Sequence, residues 1–156
     1  MRRTIRLNYY WQRGVAAVEF ALLAPLFFAF LFGIIEMARV LYLMNAATEA
    51  TRLGARVAVV CDKIDYNPAT YTAIVSRMQD ILPGLAATGD VNIEYGPAGC
   101  TQANCQTVSV SIIPGAFTIN TFIPFLPFTV NLPSLTSTLP RESLSSTGYG
   151  NNVLCN

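Results

Sequence analysis

The stretch VAAVEFALLAPLFFAFLFGII, residues 15–35, decides the fold of this chain. Its 21 residues include a single charged side chain, Glu19. A helix of this length reaches about 30 Å, which is the thickness of the hydrocarbon core of a bilayer. The whole chain is also unusually apolar, with 53% hydrophobic and only 12% charged residues. The sequence therefore predicts a transmembrane helix over residues 15–35.

The segment before this helix, residues 1–14, is basic. It carries four arginines and no acidic residue, whereas the rest of the chain has six basic and nine acidic residues, a net of −3. Clustered arginines beside an apolar span are retained on the cytoplasmic side of a membrane. We therefore expect a single pass through a membrane, with the amino terminus inside, residues 61–156 outside the cytoplasm, and membrane lipid as a partner.

Two residues in the apolar stretch are unusual for a simple anchor. Pro25 removes a backbone donor, but transmembrane helices tolerate proline where neighbouring groups satisfy the freed carbonyl. Glu19 is an ionisable group that is costly in lipid. One interpretation is that Glu19 lies near the interface and reaches headgroups or Arg13. The other is that it has a specific partner in an assembly.

Gly14 is followed by Val15-Ala16-Ala17-Val18-Glu19-Phe20, which resembles the type IV prepilin motif: a basic leader ending in glycine, then an apolar helix with glutamate at its fifth position. The continuation through residue 60 resembles the TadE-like family, the minor pilins or pseudopilins of tight-adherence pili. TadF-like proteins share the same amino-terminal plan and are the alternative subfamily. A weaker likeness extends over residues 108–142.

The resemblance implies that a prepilin peptidase cuts between Gly14 and Val15. Glycine offers no side chain to obstruct a close approach of the peptidase. The new α-amino group on Val15 would pair with Glu19 of a neighbouring subunit, so that Glu19 and the adjacent Phe20 set the subunit register.

The partners implied are the peptidase, other major and minor pilins, and the inner-membrane assembly platform. The implied role is pilus assembly or initiation, and hence surface adhesion, in the inner membrane or in the extracellular pilus.

Helical composition continues past the membrane to about residue 60, so we expect one long helix over residues 15–60. Small residues recur every fourth position on one face, at Ala46, Ala50, Gly54 and Ala58. This face could pack against the chain's own head, which we favour, or against another subunit. The charged stripe of Glu49, Arg52 and Arg56 is interpreted as a solvated face.

Residues 61–156 are expected to form a small globular head. Asn67-Pro68 predicts the start of a short helix that Pro83-Gly84 ends, and alternation predicts strands around 91–95 and 108–112 joined as a hairpin. A third strand is expected around residues 134–139. The phenylalanine- and proline-rich segment 114–133 is expected to be an extended arm or long loop, and residues 145–152 a flexible tail. The predicted fold class is α+β and pilin-like.

The four cysteines all lie in the part predicted to be outside the cytoplasm, where disulfides form. Four cysteines allow three pairings, and we favour Cys100 with Cys105 and Cys61 with Cys155 because only four residues separate Cys100 from Cys105. A four-cysteine zinc site is the competing interpretation, but CxxC spacing is missing.

Several classes of function are disfavoured by composition. Histidine is absent, which removes imidazole bases and metal ligands, and no phosphate-binding loop or basic groove is present. We expect no enzyme activity, no cofactor, no metal and no nucleic-acid partner. The alternative function is a non-polymerising, membrane-anchored binding or receptor domain that keeps residues 1–14. A secreted protein with an ordinary signal peptide is weaker, because no clear cleavage site follows the apolar run.

Overall fold

The computed structural model describes residues 12–86, 89–121, 129–146 and 153–155. The chain divides into two compact units, Met1–Ala38 and Arg39–Asn156. A long helix, a short helix and an antiparallel three-stranded sheet confirm the predicted α+β class. The elements, in chain order, are α1 (Gln12–Val60), α2 (Ala69–Ile81), β1 (Val91–Gly96), β2 (Thr107–Ile112), β3 (Thr118–Asn120), β4 (Thr129–Asn131), β5 (Leu135–Pro140) and the 3₁₀ turn η1 (Val153–Cys155).

Helix α1 has 49 residues and contains Pro25 without ending there. Residues that favour helices, chiefly alanine and leucine, populate it on both sides of the proline. Its segment Gly14–Val60 is the described helix that is long and apolar enough to cross a membrane, with a mean hydropathy of 2.3 in its most apolar window. A single-pass anchor at the amino-terminal end therefore fits the chain.

Helix α2 begins where the sequence predicts. Pro68 has helical φ and ψ angles of −59° and −25°, and the Asn67 side-chain oxygen accepts a hydrogen bond from the Ala69 N–H at 3.1 Å. Asn67 thus satisfies one of the N–H groups that a helix start leaves unpaired. One face of α2 is buried, through Thr70, Ala73, Ile74, Val75 and Met78.

The main sheet has the strand order β1–β2–β5, with both pairs antiparallel. Buried and more exposed residues alternate along β1 and β2, so Val91, Ile93, Val108, Val110 and Ile112 all enter the core. In the β1–β2 hairpin, Val91 is paired with Ile112 at one end and Gly96 with Thr107 at the other. The strands predicted around 91–95, 108–112 and 134–139 all form.

The small-residue face of α1 packs inside the head, as favoured from the sequence. Ala50 and Ala58 are fully buried. A Cβ atom placed on Gly54 would lie 2.6 Å from the Met78 Sδ and 3.3 Å from a Val110 methyl carbon. Glycine at position 54 therefore lets α1 approach both α2 and β2 closely.

The carboxyl end of α1 is capped by hydrogen bonds from a segment that is distant in the sequence. The backbone N–H groups of Leu144 and Ser145 donate to the carbonyls of Val59 and Val60 at 3.1 and 3.0 Å, and the Ser143 hydroxyl also donates to Val60. These bonds satisfy carbonyls that the last helical turn leaves without partners.

The segment 114–133 differs from the arm or loop that we expected. Strands β3 and β4 form a separate two-stranded antiparallel sheet, pairing Thr118 with Asn131 and Asn120 with Thr129. Three-residue strands leave too short an alternation to be recognised in a proline-rich sequence. Phe117 is half-buried against the core, whereas Phe122, Phe125 and Phe128 lie outside the described residues, as do residues 147–152 of the expected tail.

Candidate functional site

The expected processing junction lies near the amino-terminal end of α1. Gly14 and Val15 are both exposed, and Val15 is 60% exposed. A Cβ atom placed on Gly14 would meet nothing within 4 Å. Among the described residues, none therefore fills the space beside Gly14.

Glu19 lies one helical turn after Val15, at i+4, so the two residues share a face of α1. Glu19 is exposed, and it forms no ion pair with any residue in the described ranges. Phe20, beside it, is 71% exposed. A carboxylate and an aromatic ring are therefore presented together, one turn from the position where cleavage would leave an α-amino group.

The surface around Glu19 is almost entirely apolar. Two pairs of aromatic rings are in contact on this surface. The ring centres of Phe27 and Phe28 are 5.6 Å apart in an edge-on arrangement, and those of Phe28 and Phe32 are 6.2 Å apart in a stacked one. A carboxylate on such a surface is costly in lipid unless a cation or hydrogen-bond donors compensate it. The large apolar side chains exposed between residues 15 and 35 are Val15, Val18, Phe20, Leu22, Leu23, Leu26, Phe27, Phe28, Phe30, Leu31, Phe32, Ile34 and Ile35.

Two disulfides cross-link the head, one joining Cys61 to Cys155 and the other joining Cys100 to Cys105. This is the pairing that we favour from the sequence. The first bridge links the residue after α1 to the turn η1, across a sequence separation of 94. The second closes a short ring in the β1–β2 connection, with a separation of 5. All four sulfurs are engaged in these bridges, so none is a thiolate ligand for a metal.

The ring closed by Cys100 and Cys105 is held by side chains from elsewhere in the head. Arg141 donates to the carbonyls of Gln102 and Ala103 at 3.0 and 2.6 Å. The Lys63 ammonium donates to the Cys100 carbonyl at 3.1 Å and lies 5.5 Å from the centre of the Tyr95 ring. The sequence gives no signal for these long-range contacts, because nothing local relates Arg141 to the ring.

Asp62 connects three parts of the head. Its carboxylate accepts hydrogen bonds from the Gln102 amide at 2.7 Å and from the Ser146 N–H at 3.2 Å. Burial raises the pKa of Asp62, but the hydrogen bonds from Ser146 and Gln102 outweigh it and hold the pKa below its usual value of 3.8. Asp62 thus connects the end of the long helix to the Cys100–Cys105 ring and to Ser146.

Tyr95 supports the same corner of the head. Its hydroxyl accepts a hydrogen bond from the Ile64 N–H at 3.3 Å. Burial raises the pKa of Tyr95 above 10.0, with a further increase from the charge of Asp65, while the bond from Ile64 partly offsets this. The phenol is therefore neutral at physiological pH and acts as a packing and hydrogen-bonding group.

Within the described ranges, no group of three metal-ligating side chains from histidine, cysteine, aspartate or glutamate comes together. The arrangement of Gly14, Val15, Glu19 and Phe20 on an exposed apolar helix can instead serve recognition by other membrane-embedded helices. Its chemistry is that of a protein–protein contact in an apolar medium.

The amino-terminal part of the chain matches a known protein family. Residues 14–56 match the family model described as TadE-like protein, which confirms the resemblance found in the sequence. The match starts at Gly14 itself and ends four residues before the end of α1. Neither the curated proteins nor the solved structures contain a match to this chain.

Proposed function

Because residues 14–56 match the TadE-like family, a family associated with tight-adherence pili, we propose that this chain is a minor pilin or pseudopilin of a tight-adherence, type IVc-like pilus. The observation that carries the proposal is Glu19, an exposed carboxylate five residues after Gly14 and the single charged residue of the apolar stretch 15–35. An ordinary membrane anchor has no need of a charge at that depth.

In this proposal the chain is first inserted into the inner membrane with its basic segment inside. A prepilin peptidase then cuts after Gly14, which has no side chain to obstruct its approach. Cleavage removes residues 1–14 and leaves an α-amino group on Val15. The remaining helix, now without its basic leader, is free to move towards other subunits in the assembly platform.

Glu19 then fixes the register of the subunit. The carboxylate pairs with the α-amino group of Val15 on a neighbouring pilin, and this pairing compensates two charges that are costly in an apolar medium. The exposed apolar side chains of residues 15–35 supply the rest of the contact. Because these side chains would be strongly disfavoured in water, other pilins are the partners that they fit outside lipid.

The head contributes no chemistry to this role. Its two disulfides and its buried core make it a compact unit suited to the outside of the cell, where it takes part in assembly and, through the pilus, in surface adhesion. The protein acts as a structural component and not as an enzyme.

The test is the amino terminus of the membrane-extracted protein, determined by intact mass and sequencing with and without the cognate prepilin peptidase. We expect a start at Val15 that depends on the peptidase and is reduced in a Gly14→Ala variant. Gly33→Ala is the matched control, since Gly33 also has nothing within 4 Å of a built Cβ atom. A Met1 start despite active peptidase would support the anchored receptor domain instead.

A further inference from the structure

The two edge strands of the main sheet differ in how well they are protected against pairing with a further strand. At the β1 edge, the Tyr71 hydroxyl of α2 donates to the Val91 carbonyl at 3.1 Å, and the strand carries the charged Glu94. Strand β5, at the other edge, reads LTSTLP and has no charged residue. Charges and covering elements are the usual means by which proteins prevent a sheet edge from pairing further. Strand β5 carries no charged side chain of its own, and no described residue forms a hydrogen bond to its outer edge.

The register shows which backbone groups face outward from β5. The Arg141 N–H donates to the Gln106 carbonyl at 2.8 Å, directly beyond the pair Thr107 and Pro140. Bonded pairs alternate in an antiparallel ladder, so Leu139, Ser137 and Leu135 bond to β2. The N–H and C=O groups of Thr136 and Thr138 therefore point away from the sheet, and no described residue bonds to them.

A groove borders this edge. It has a volume of about 280 Å³ and is lined by Arg52 and Arg56 of α1 and by Ser137 and Leu139 of β5. Both arginines are exposed. Arg52 pairs with Glu49 at 2.9 Å, whereas Arg56 has no carboxylate partner within the described part of the chain. Positive charge is thus placed beside a row of backbone groups able to accept another strand.

We propose that the β5 edge, together with Arg52 and Arg56, is a docking site for an extended acidic segment of a partner protein. The incoming strand would bond to the outward groups of Thr136 and Thr138. Alternate side chains of that strand would face the groove, spaced by about 6.6 Å. This spacing is close to the rise of about 6 Å between two residues four apart on a helix, such as Arg52 and Arg56.

The positive charge of Arg52 and Arg56 favours an incoming strand with acidic side chains. A carboxylate facing Arg56 gains an ion pair, whereas a lysine or arginine there would meet like charge. Pro140 ends the site, because a proline at this outward position has no N–H to donate. The site therefore takes a short strand with acidic side chains on alternate positions. The proposal does not depend on the pilus role, because all of its residues belong to the unit Arg39–Asn156, which lies outside the predicted membrane span.

The test uses the full chain in detergent with its disulfides intact, and a fluorescent decapeptide that alternates threonine and glutamate as the probe. We expect saturable binding at micromolar to millimolar peptide, and slower hydrogen exchange at the amides of Thr136 and Thr138. A peptide with lysine in place of glutamate is expected to bind at least about tenfold more weakly.

Two pairs of variants separate strand addition from simple charge attraction. Thr136→Pro removes one outward N–H and is expected to weaken binding, while Thr136→Val keeps it and is expected to bind as the wild type does. Arg56→Glu is expected to abolish binding, whereas Arg56→Lys retains it. If Thr136→Pro fails to fold, hydrogen exchange of the Thr136 and Thr138 amides in the wild type still tests strand addition: unchanged exchange with peptide bound would mean charge attraction alone.

Three results would overturn the proposal. The first is no saturable binding of the acidic peptide at millimolar concentration. The second is equal binding to Thr136→Pro and Thr136→Val in folded protein, which would mean charge attraction without strand addition. The third is protection of the Thr136 and Thr138 amides that grows with protein concentration in the absence of peptide, which would identify a second copy of this chain as the occupant.

Discussion

Gly54 of α1 packs against Met78 of α2 so closely that a Cβ atom at position 54 would lie 2.6 Å from the Met78 Sδ and 3.0 Å from its Cγ. Met78 is fully buried, and Val110 of β2 lies on the same side of the contact. This is the point where the long helix, the short helix and the sheet meet. Its geometry depends on the absence of a side chain at one position.

The Gly54→Ala variant tests this contact. Alanine improves helix propensity by about 1 kcal/mol, but an added methyl in a filled core costs about 1–3 kcal/mol. Since the buried Met78 side chain must shift to admit the methyl group, we expect the free energy of unfolding to fall by about 1 kcal/mol. Denaturant unfolding of the head, followed by near-ultraviolet circular dichroism in detergent, measures it.

Gly33→Ala is the control for Gly54→Ala, since it lies on the same helix and a Cβ atom there meets nothing within 4 Å. We expect it to leave the unfolding of the head unchanged. An increase in stability for Gly54→Ala would mean that Met78 moves aside freely, which would contradict the close packing.

The two disulfides are expected to contribute unequally to stability. Loop-closure entropy grows with the length of the closed segment, and the separations are 94 for Cys61–Cys155 and 5 for Cys100–Cys105. Replacing both cysteines of the Cys61–Cys155 bridge by alanine is expected to lower the free energy of unfolding by about 4–5 kcal/mol. The same replacement in the Cys100–Cys105 bridge is expected to lower it by about 2 kcal/mol. Urea unfolding of the two double variants measures the difference. A larger loss from the short bridge would show that the Cys100–Cys105 ring matters for more than chain entropy.

Asp62 is expected to make the head sensitive to acid. Its pKa is lower in the folded protein than the usual 3.8, so its ionised form contributes stability above about pH 4, and this is lost as the pH falls through the folded value. The Asp62→Asn variant cannot titrate there. We therefore expect the wild type to lose more stability than the variant between about pH 4 and pH 2, measured as thermal unfolding across that range. Parallel losses in both proteins would contradict the role given to Asp62.

Glu19→Ala separates processing from assembly. We expect the variant to be cut after Gly14 as the wild type is, because the cleavage site is unchanged, but to enter pili at least about tenfold less well because the Val15 amine of the neighbour loses its partner. Immunoblots of the membrane and sheared pilus fractions measure both steps. Glu49→Ala is the control: Glu49 is an exposed glutamate of the same helix, and among the described residues its ion-pair partner is Arg52, so both steps should proceed normally. Normal incorporation of Glu19→Ala would contradict the register role.

Much of the fold follows from local patterns in the sequence. The long apolar run and the absence of a helix stop predict α1, and Asn67-Pro68 with Pro83-Gly84 brackets α2. Alternation at residues 91–95 and 108–112 predicts the hairpin. These features are predictable because each rests on the spacing of residues that are near one another in the chain, which is the range over which periodicity and capping act.

The parts that were not predicted depend on distant residues. Strands β3 and β4 have three residues each, so they show no alternation that could be recognised. The contacts of Arg141 with the Cys100–Cys105 ring and of Leu144 with the end of α1 join positions far apart in the chain. The open edge of β5 is likewise a property of strand order, which the sequence does not state.

The most direct test of the central proposal is mass spectrometry of purified pili, digested with trypsin and searched for the amino-terminal peptide of this chain. Trypsin cuts after Arg13 and would give a peptide starting at Gly14, so a start at Val15 reports the prepilin peptidase. We predict a Val15 start in the pilus fraction, lost when the peptidase is absent. A chain found only in the membrane fraction, with residues 1–14 still attached, would contradict the account.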